Sequence, residues 1–310
     1  MPTVLITGGT GMIGKRLTQL LIEKGFEVII LSRQSSAADH LSPGVTYALW
    51  DIARQTIDNI ALTKADHIIH LAGAGVADKR WSKKRKQEIL DSRTQSSALI
   101  VKALAEIPNK VKSVISSAAI GWYGADTDVS RKKGFTEEAA PDTEFLGETC
   151  RLWEESIQPV THLGKRLVKL RTGIVLSNKG GAFVEFKRPL HAGIAAILGN
   201  GNQVISWVHV DDLCRMFIHA IENEEMRGTY NAVAPHPVTN KYLTIALAKK
   251  MKSDFFIPVY VPSFILKILI GEMSIEVLKS ATVSCRKIQI AGFSFRYPTL
   301  EKALAELCNQ

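Results

Sequence analysis

The stretch TVLITGGTGMIG, residues 3–14, decides the fold, because a short apolar run leads through spaced glycines into an amphipathic segment. Three of its glycines stand three residues apart. In a strand–turn–helix unit the first permits the tight turn, the second lets the backbone approach a pyrophosphate, and the third lets helix and strand pack closely. The helix then presents free N–H groups and a positive dipole end to phosphate. The predicted dinucleotide contacts are Gly8, Thr10, Gly11, Met12, Ile13 and Gly14.

The rest of the chain alternates β-rich runs with helical patterns. The longest helical pattern occupies roughly residues 83–107 and ends before Pro108. Alternation of this kind predicts βαβ units, a parallel sheet, and helices on both of its faces. We therefore expect a doubly wound α/β Rossmann fold. The further strand candidates are residues 26–33, 45–50, 65–73, 111–118 and 165–177.

The pattern changes after about residue 177, where glycines become frequent. We predict a Rossmann domain over residues 1–177, completed by about 204–233, and a smaller mixed C-terminal substrate domain over residues 178–310. The most apolar run, FFIPVYVPSFILKILIG at 255–271, contains two prolines and a lysine, so it is too broken for a membrane span. It predicts a core strand followed by a buried helix.

Composition and charge indicate the environment and the partners. The 310 residues carry a formal net charge of +9, and their one dense basic cluster is KRWSKKRK at 79–86. Such clusters are usually solvated helix faces. Nucleic acid binding is therefore the weakest of our three functional hypotheses, and the other two follow from the catalytic motifs below. Four cysteines without a CxxC pair fit a reducing compartment and suggest no zinc site. MPTVLITGG enters a strand directly, and we expect a cytoplasmic protein without membrane, metal or nucleic acid partners.

The end of the second predicted strand indicates which cofactor is bound. In a dinucleotide fold an acidic residue there binds the ribose hydroxyls of NAD, whereas an arginine accommodates the 2′-phosphate of NADP. This chain has LSRQSS at 31–36, which includes Ser32 and Arg33 but no carboxylate. We therefore predict NADP(H). The HLAGAG stretch, 70–75, reads as the small-residue loop that passes the diphosphate and ribose. Its predicted contacts are Leu71, Ala72 and Gly73.

Several motifs together resemble a known family. TGGTGMIG, HLAG and SSAAIGWYG (116–124) resemble the extended short-chain dehydrogenase/reductases, which include nucleotide-sugar epimerases and dehydratases. Six further motifs are similar to the atypical epimerase branch, the sugar nucleotide epimerase-like proteins, whose members carry a C-terminal domain of unknown function. The resemblance covers essentially the whole chain and implies a Rossmann domain, NADP(H) binding and a small domain over the nicotinamide end. The six motifs are AGAGVADKRWSKKRKQEILDSR (72–93), FLGETCRLWE (145–154), ISWVHVDDL (205–213), YNAVAPHPVTN (230–240), GEM (271–273) and AGFSFRYPTLEKAL (291–304).

The chain departs from this family at its catalytic pair. Extended members use a Tyr-Gly-x-Ser-Lys run, in which the tyrosine transfers a proton and the lysine lowers the tyrosine pKa and holds the nicotinamide ribose. The resemblance places Leu146 at the tyrosine position and Cys150 at the lysine position. Leucine has no proton to give, and a neutral thiol does not replace an ammonium. The family stretch Ser-Ala-Ser-Ala is Ser-Ser-Ala-Ala here, residues 116–119, so the third position has lost its hydroxyl. Ser116 and Leu146 remain predicted cofactor contacts.

Two explanations stay open. In the first, the protein is an NADP(H)-dependent oxidoreductase or epimerase-like enzyme of unknown substrate, with Tyr123, Ser117 or Glu148 as substitute catalytic group. Glu148 lies two residues past the lost tyrosine, which is about 200° round a helix and argues against simple replacement. In the second, the protein binds NADP(H) without turnover, as a regulator or redox sensor.

A predicted substrate cluster follows the 70–75 loop. Lys79, Arg80 and Trp81 lie on the side from which a substrate enters a doubly wound sheet. Arginine next to an aromatic ring suits a phosphate or carboxylate on a planar or sugar-like group, so we expect a small anionic substrate. Arg93 stands where relatives often have an asparagine, and we expect it to make structural hydrogen bonds.

Overall fold

A computed structural model of the chain describes residues 1–33 and 44–309. Within those residues the strands are β1 (Thr3–Thr7), β2 (Glu27–Ser32), β3 (Val45–Asp51), β4 (Thr56–Ile57), β5 (His67–His70), β6 (Ser113–Ala119), β7 (Arg166–Thr172), β8 (Ile174–Leu176), β9 (Ile194–Leu198), β10 (Val204–Ile205), β11 (Trp207–His209), β12 (Gly228–Ala232), β13 (Val238–Thr239) and β14 (Ile257–Val261). The helices are α1 (Met12–Glu23), α2 (Asn59–Lys64), α3 (Lys83–Glu106), α4 (Asp128–Lys133), α5 (Phe145–Ile157), α6 (Ala182–His191), α7 (Val210–Glu222), α8 (Asn240–Lys252), α9 (Ser263–Ile270), α10 (Met273–Leu278), α11 (Arg286–Ile290) and α12 (Leu300–Leu307). In this described part, no helix has both the length and the apolar character needed to cross a membrane.

The central sheet of the described chain contains eight strands in the order β12-β7-β6-β5-β1-β2-β3-β4. Neighbouring strands are parallel, except that β4 pairs antiparallel with β3. The direction of the strand order therefore reverses at β1, between β5 and β2. Ligands of open α/β sheets bind outside the carboxyl ends of the strands at such a switch point. The predicted doubly wound α/β Rossmann fold is confirmed.

Helices cover both faces of the sheet. All five residues of β1 are buried, which is why this strand reads as an unbroken apolar run. Val4 and Ile6 pack with α1 and α7 on one face. Leu5 packs with α2 and α3 on the other face, because successive side chains of a strand point to opposite sides. This double cover holds the glycine loop rigidly at the sheet edge.

The C-terminal part is built from short paired strands around a separate apolar cluster. Leu247 of α8, Leu304 of α12 and Phe183 of α6 belong to that cluster. The single strand predicted over 165–177 is two strands, because β7 lies in the central sheet whereas β8, after Gly173, pairs with β11. The chain later returns to the central sheet at β12, beside β7.

The apolar run 255–271 does not form the predicted core strand and buried helix. It forms β14 and α9, which Pro262 joins, and most of their large apolar side chains face solvent. Only Leu266 of α9 is buried. The prediction was wrong because apolar composition indicates that a surface will be covered, but not that the same chain covers it.

Candidate cofactor and active site

The glycine loop between β1 and α1 has little space for side chains. Gly8 has a φ of +71°, and a Cβ there would lie 2.9 Å from the carbonyl carbon of Leu71. A Cβ on Gly14 would overlap the carbonyl oxygen of Gly8. By contrast, the nearest contact of a Cβ on Gly11 would be that same oxygen at 3.3 Å. Gly8 and Gly14 thus shape the turn and the helix packing, whereas Gly11 leaves the crevice open.

The start of α1 is arranged for an anion. Gly11 is the N-cap residue, no side chain caps the helix, and the first turn contains no acidic residue. Thr10 and Gly11 are exposed, and Met12 and Ile13 are half-buried. A helix N-terminus with unused N–H groups binds phosphate through hydrogen bonds and through its dipole. The loop therefore fits the diphosphate of a dinucleotide.

The end of β5 is fixed against the glycine loop through Thr7. Its Oγ1 accepts hydrogen bonds from the backbone N–H groups of Leu71 and Ala72 at 3.1 and 3.2 Å. The same hydroxyl oxygen lies 2.7 Å from Nδ1 of His70. Burial lowers the pKa of His70 to about 3, so the ring stays neutral and acts as a structural partner. These hydrogen bonds place Leu71, Ala72 and the exposed Gly73 beside the glycine loop.

The end of β2 presents a cation to the other side of the loop. Arg33 is exposed, and Ser32 is half-buried. The Arg33 side chain makes no hydrogen bond or ion pair with any residue of 1–33 or 44–309. In a dinucleotide fold this position faces the adenosine ribose and its 2′-substituent.

Leu146 and Cys150 line the turn that follows β6. A Cβ on Gly121 would lie 3.3 Å from Leu146 Cβ and 3.4 Å from Cys150 Sγ. Burial raises the pKa of Cys150 to about 12, although the positive charge of Arg93 opposes that shift. The thiol is therefore neutral at physiological pH. Leu146 and the neutral Cys150 thiol are thus the side chains of α5 that lie against the turn after β6.

Arg93 supports the loop after β5, as expected. Its Nη1 donates to the carbonyl oxygens of Ala74 at 3.0 Å and Ile89 at 2.8 Å. The guanidinium carbon lies 5.0 Å from the centre of the Trp153 ring. A Cβ on Gly73 would lie 3.3 Å from the same carbon, so Arg93 backs this loop directly. The structural hydrogen bonds predicted for Arg93 are confirmed.

Tyr123 lies in the core and not in the crevice. Its hydroxyl donates to Oδ1 of Asn231 at 2.6 Å and accepts from Nη1 of Arg171 at 3.0 Å. The side chain is fully buried, and burial raises its pKa to about 12. Arg171 in turn binds both carboxylate oxygens of Glu154 at 2.7 and 3.2 Å. The Tyr123 hydroxyl thus already donates one hydrogen bond and accepts another inside the core. This geometry argues against the proton-transfer role that the sequence suggested for Tyr123.

The other two catalytic candidates differ in their position. Ser117 is half-buried at the carboxyl end of β6, while the neighbouring Ser116 is buried and donates to the Ser117 carbonyl oxygen at 3.0 Å. Glu148 accepts from Nε of Arg151 at 2.8 Å on the solvent side of α5. The hydrogen bond from Arg151, together with its charge, lowers the pKa of Glu148, so this carboxylate is a weak base. Ser117 Oγ lies 3.5 Å from the Ala118 carbonyl oxygen near the carboxyl end of β6, and within the described part of the chain it has no charged partner there.

The predicted substrate cluster lies where the C-terminal part meets the loop after β5. Lys79 and Arg80 are exposed, and a Cβ on Gly271 would lie 2.7 Å from Arg80 Nε. Trp81 donates from Nε1 to the Val76 carbonyl oxygen at 2.9 Å. Its ring packs edge-on against the ring of Phe145, the first residue of α5, with 4.9 Å between the ring centres. Arg80 thus lies against Gly271 of the C-terminal segment and Trp81 against the start of α5. We call this position of the predicted substrate cluster the rim.

Much of the remaining basic cluster at 79–86 is occupied by internal contacts. Arg85 is buried and pairs with Glu88 at 2.8 Å, and Lys86 pairs with Glu272. These contacts leave a smaller free basic surface than the sequence suggests.

The sequence did not reveal a further charged group, formed by Lys279, Glu276 and Asp142 beside the segment that leads into α5. Lys279 Nζ lies 2.6 Å from Glu276 and 3.6 Å from Asp142. The nitrogen is buried, and its contact with Glu276 uses one of the three donors of the ammonium. Asp142 lies beside Gly124, after the turn that follows β6. The sequence contained only one signal for this group: Glu276 and Lys279 stand three residues apart shortly after the GEM motif.

Comparison with known proteins establishes the family. Residues 4–232 match the NAD-dependent epimerase/dehydratase family. The chain belongs to this family. Residues 261–307 match a domain of unknown function, DUF1731. The resemblance to epimerase family proteins with a C-terminal domain of unknown function is therefore confirmed.

Three relatives span the whole chain. An epimerase family protein of Staphylococcus saprophyticus is 34% identical over 311 residues, which cover 100% of both chains. The epimerase family protein YfhF of Bacillus subtilis is 34% identical over 305 residues, which cover 98% of this chain and 97% of YfhF. The crystal structure of human epimerase family protein SDR39U1, isoform 2, with NADPH has a TM-score of 0.86 at 28% identity and covers 99% of each chain.

Proposed function

We propose that this protein binds NADP(H) at the carboxyl edge of its central sheet and acts there as a cytoplasmic oxidoreductase or epimerase-like enzyme. The observation that carries the proposal is the uncapped start of α1 beside the turn shaped by Gly8 and Gly14. Arg33, exposed at the end of β2, supports the phosphorylated form of the cofactor. The NADPH bound to human SDR39U1 agrees with both assignments.

Each part of the crevice has a distinct task in this proposal. The N–H groups of Met12 and Ile13 hold the diphosphate, and Arg33 binds the 2′-phosphate. Leu146 and Cys150 exclude water from the nicotinamide end. When bound, the cofactor donates or accepts a hydride. The protein itself must then supply the group that moves a proton on the substrate.

We assign that proton transfer to Lys279. Its ammonium is buried against Glu276 with donors to spare, and its charge is felt by the Cys150 thiol. A lysine ammonium in this position can donate a proton to a substrate oxygen, while the adjacent carboxylate orients the side chain. Ser117 adds a hydroxyl at the end of β6. Lys279 belongs to the C-terminal segment and not to α5, so it is a different solution from the tyrosine that the family carries on that helix.

The substrate is proposed to be a small anionic compound, and nucleic acid is not among the proposed partners. Lys79 and Arg80 offer exposed positive charge at the rim, beside the Trp81 ring. An exposed guanidinium next to an aromatic ring binds a phosphate or carboxylate carried on a sugar-like group. The small free basic surface, with Arg85 buried, supports a compact ligand.

Replacement of Arg33 tests the choice of cofactor. Arg33→Ala should weaken NADPH binding about 10- to 100-fold, because it removes charge-assisted hydrogen bonds to the 2′-phosphate, and should leave NADH binding unchanged. Fluorescence titration with both cofactors measures this ratio. Arg54→Ala, at an arginine that is 84% exposed near the β3–β4 turn, is the matched control. Equal affinity of the wild-type protein for NADPH and NADH would remove the case for Arg33.

Turnover tests the enzymatic part of the proposal. The wild-type protein is screened for NADPH oxidation with carbonyl compounds and nucleotide sugars. On any substrate found, Lys279→Met should lower kcat by about 10²- to 10⁴-fold, the usual contribution of general acid–base catalysis, with NADPH affinity unchanged. Lys86→Met is the control, because Lys86 pairs with Glu272 of the same C-terminal segment. A kcat that survives in Lys279→Met would exclude this lysine from proton transfer.

One observation favours a second candidate function, a non-catalytic NADP(H)-binding regulator or redox sensor. The α5 face formed by Leu146 and Cys150 has no acid or base, and Tyr123 is held in the core. Tight NADPH binding without oxidation of NADPH in the whole screen would favour this alternative. The Arg33 prediction holds in both cases, so the two experiments separate binding from catalysis.

A further inference from the structure

We propose that Lys15 and Lys179 bind the diphosphate of the cofactor, so that the C-terminal part of the chain takes part in cofactor binding. The assignment rests on the proposed NADP(H) site and adds a pair of cations to it. A cavity of about 740 Å³ lies along α1, and Thr10 and Met12 of the glycine loop are among its lining residues. Lys15 and Lys179 line the same cavity.

The glycine loop itself brings no positive side chain to the diphosphate. The predicted dinucleotide contacts from Gly8 to Gly14 are uncharged, as are Leu71, Ala72 and Gly73. The diphosphate carries a full negative charge on each phosphate, whereas the dipole of a helix start supplies only about half of one positive charge. Because the proposed function assigns the exposed guanidinium after β2 to the 2′-phosphate, a cation for the diphosphate must come from elsewhere.

The loop after β8 brings Lys179 to the start of α1. Gly180 and Gly181 directly follow this lysine and have φ values of +147° and +73°. A Cβ on Gly180 would lie 3.7 Å from Sδ of Met12, and a Cβ on Gly181 would lie 3.6 Å from Cε of Met12. Met12 is the first residue of α1 and a predicted dinucleotide contact. The backbone beside Lys179 therefore packs against the residue whose N–H group is proposed to hold the diphosphate.

Lys15 approaches the same place from α1 itself. It stands three residues after Met12, so the two side chains are neighbours on the surface of the helix. Long side chains of a helix point back toward its N-terminus. Lys15 is exposed, and its side chain thus extends along the cavity toward the start of α1. The two lysines come from different elements but are directed at one ligand position.

The acidic side chains of the cavity already have partners, whereas the two lysines do not. Asp211 accepts from Nε and Nη2 of Arg16 at 2.6 and 2.9 Å. Nδ1 of His209 accepts from the Asp211 N–H at 3.1 Å, so its Nε2 carries the proton and donates to Glu306 at 2.9 Å. Within the described part of the chain, neither lysine side chain makes a hydrogen bond or an ion pair. The charge that remains available in the cavity is therefore positive, as an anion requires.

Titration with two cofactors tests the assignment, because NADPH and NADH share the diphosphate. Lys179→Ala should weaken the binding of both cofactors by the same factor, about 10-fold, since it removes a charge-assisted contact. The double variant with Lys15→Ala should weaken both further, and its NADPH affinity should depend less on salt concentration. Arg33→Ala, by contrast, should affect NADPH alone. This difference separates the diphosphate from the 2′-phosphate.

Lys64→Ala is the matched control. Lys64 is an exposed lysine at the end of α2, three residues before β5 begins, and so lies at the opposite edge of the sheet from the cofactor. This variant should bind both cofactors like the wild-type protein. Thermal unfolding shows whether each variant is folded, and Lys179→Gln replaces Lys179→Ala if that variant does not fold.

Each contrary outcome points to a different part of the site. A wild-type protein that binds neither cofactor would overturn the proposed NADP(H) site and the role of the two lysines together. Wild-type affinities in the double variant, with NADPH still bound by both proteins, would overturn the role of the lysines and leave the proposed site in place. A loss confined to NADPH would move the two lysines to the 2′-phosphate and so also contradict the assignment.

Discussion

Gly11→Ala is expected to fold like the wild-type protein and to bind NADPH at least about 100-fold more weakly, because its methyl group occupies space that the diphosphate needs. Among residues 1–33 and 44–309, a Cβ on Gly11 meets only the Gly8 carbonyl oxygen, at 3.3 Å. The Gly11 backbone, with φ −75° and ψ 175°, is open to any residue. The fold therefore tolerates the substitution, and the cost falls on the ligand.

Gly14→Val gives the opposite result, because this glycine serves the fold. Its Cβ would lie 2.7 Å from the Gly9 carbonyl carbon and would overlap the Gly8 oxygen, so α1 would have to leave β1. We expect loss of folding or a destabilisation of more than about 4 kcal/mol. The two glycines of one motif thus separate cofactor binding from chain packing.

Thermal unfolding and NADPH titration of both variants check this contrast. Gly164→Ala is the control, because Gly164 has a φ of +70° and open space around it. It should lose about 1 kcal/mol through backbone strain and keep full NADPH affinity. Wild-type affinity in Gly11→Ala would show that the dinucleotide does not approach this loop.

The fold and the shape of the glycine loop were predictable because they depend on local chemistry. The glycine spacing from Gly8 to Gly14 determines a turn whose backbone sterics are contained within one βα unit. Arg33 follows directly from the position at which β2 ends. The strand order then follows from right-handed crossovers between parallel strands. Each of these steps needs only residues that are close together in sequence.

The rest of the site was not predictable because it depends on contacts between distant residues. Tyr123 and Ser117 both follow β6, and a sequence pattern does not tell which side chain turns into the core. Arg171, which is 48 residues away in the sequence, binds the Tyr123 hydroxyl and holds that side chain in the core. Lys279 reaches Asp142 only after the C-terminal segment has folded over the central sheet. No local sequence pattern predicts this contact between Lys279 and Asp142.

Glu154→Leu is expected to destabilise the protein by about 3–5 kcal/mol, because it leaves the buried Arg171 guanidinium without a counter-charge. The Arg171 side chain is 3% exposed, and its remaining acceptors are the Tyr123 hydroxyl and the Glu137 carbonyl oxygen. The reverse variant, Arg171→Met, should cost less, since Glu154 keeps Lys169 at 3.2 Å. Urea unfolding of the two single variants and the double variant measures the difference.

Tyr123→Phe in the same network separates a structural tyrosine from a catalytic one. It removes one hydrogen bond to Asn231 and one from Arg171, so the free energy of unfolding should fall by about 1–3 kcal/mol. Because the phenol is closed off in the core, NADPH affinity and any kcat found in the substrate screen should stay at the wild-type value. A large loss of kcat with little loss of stability would instead return Tyr123 to the reaction and require its hydroxyl to leave the Arg171 network during turnover.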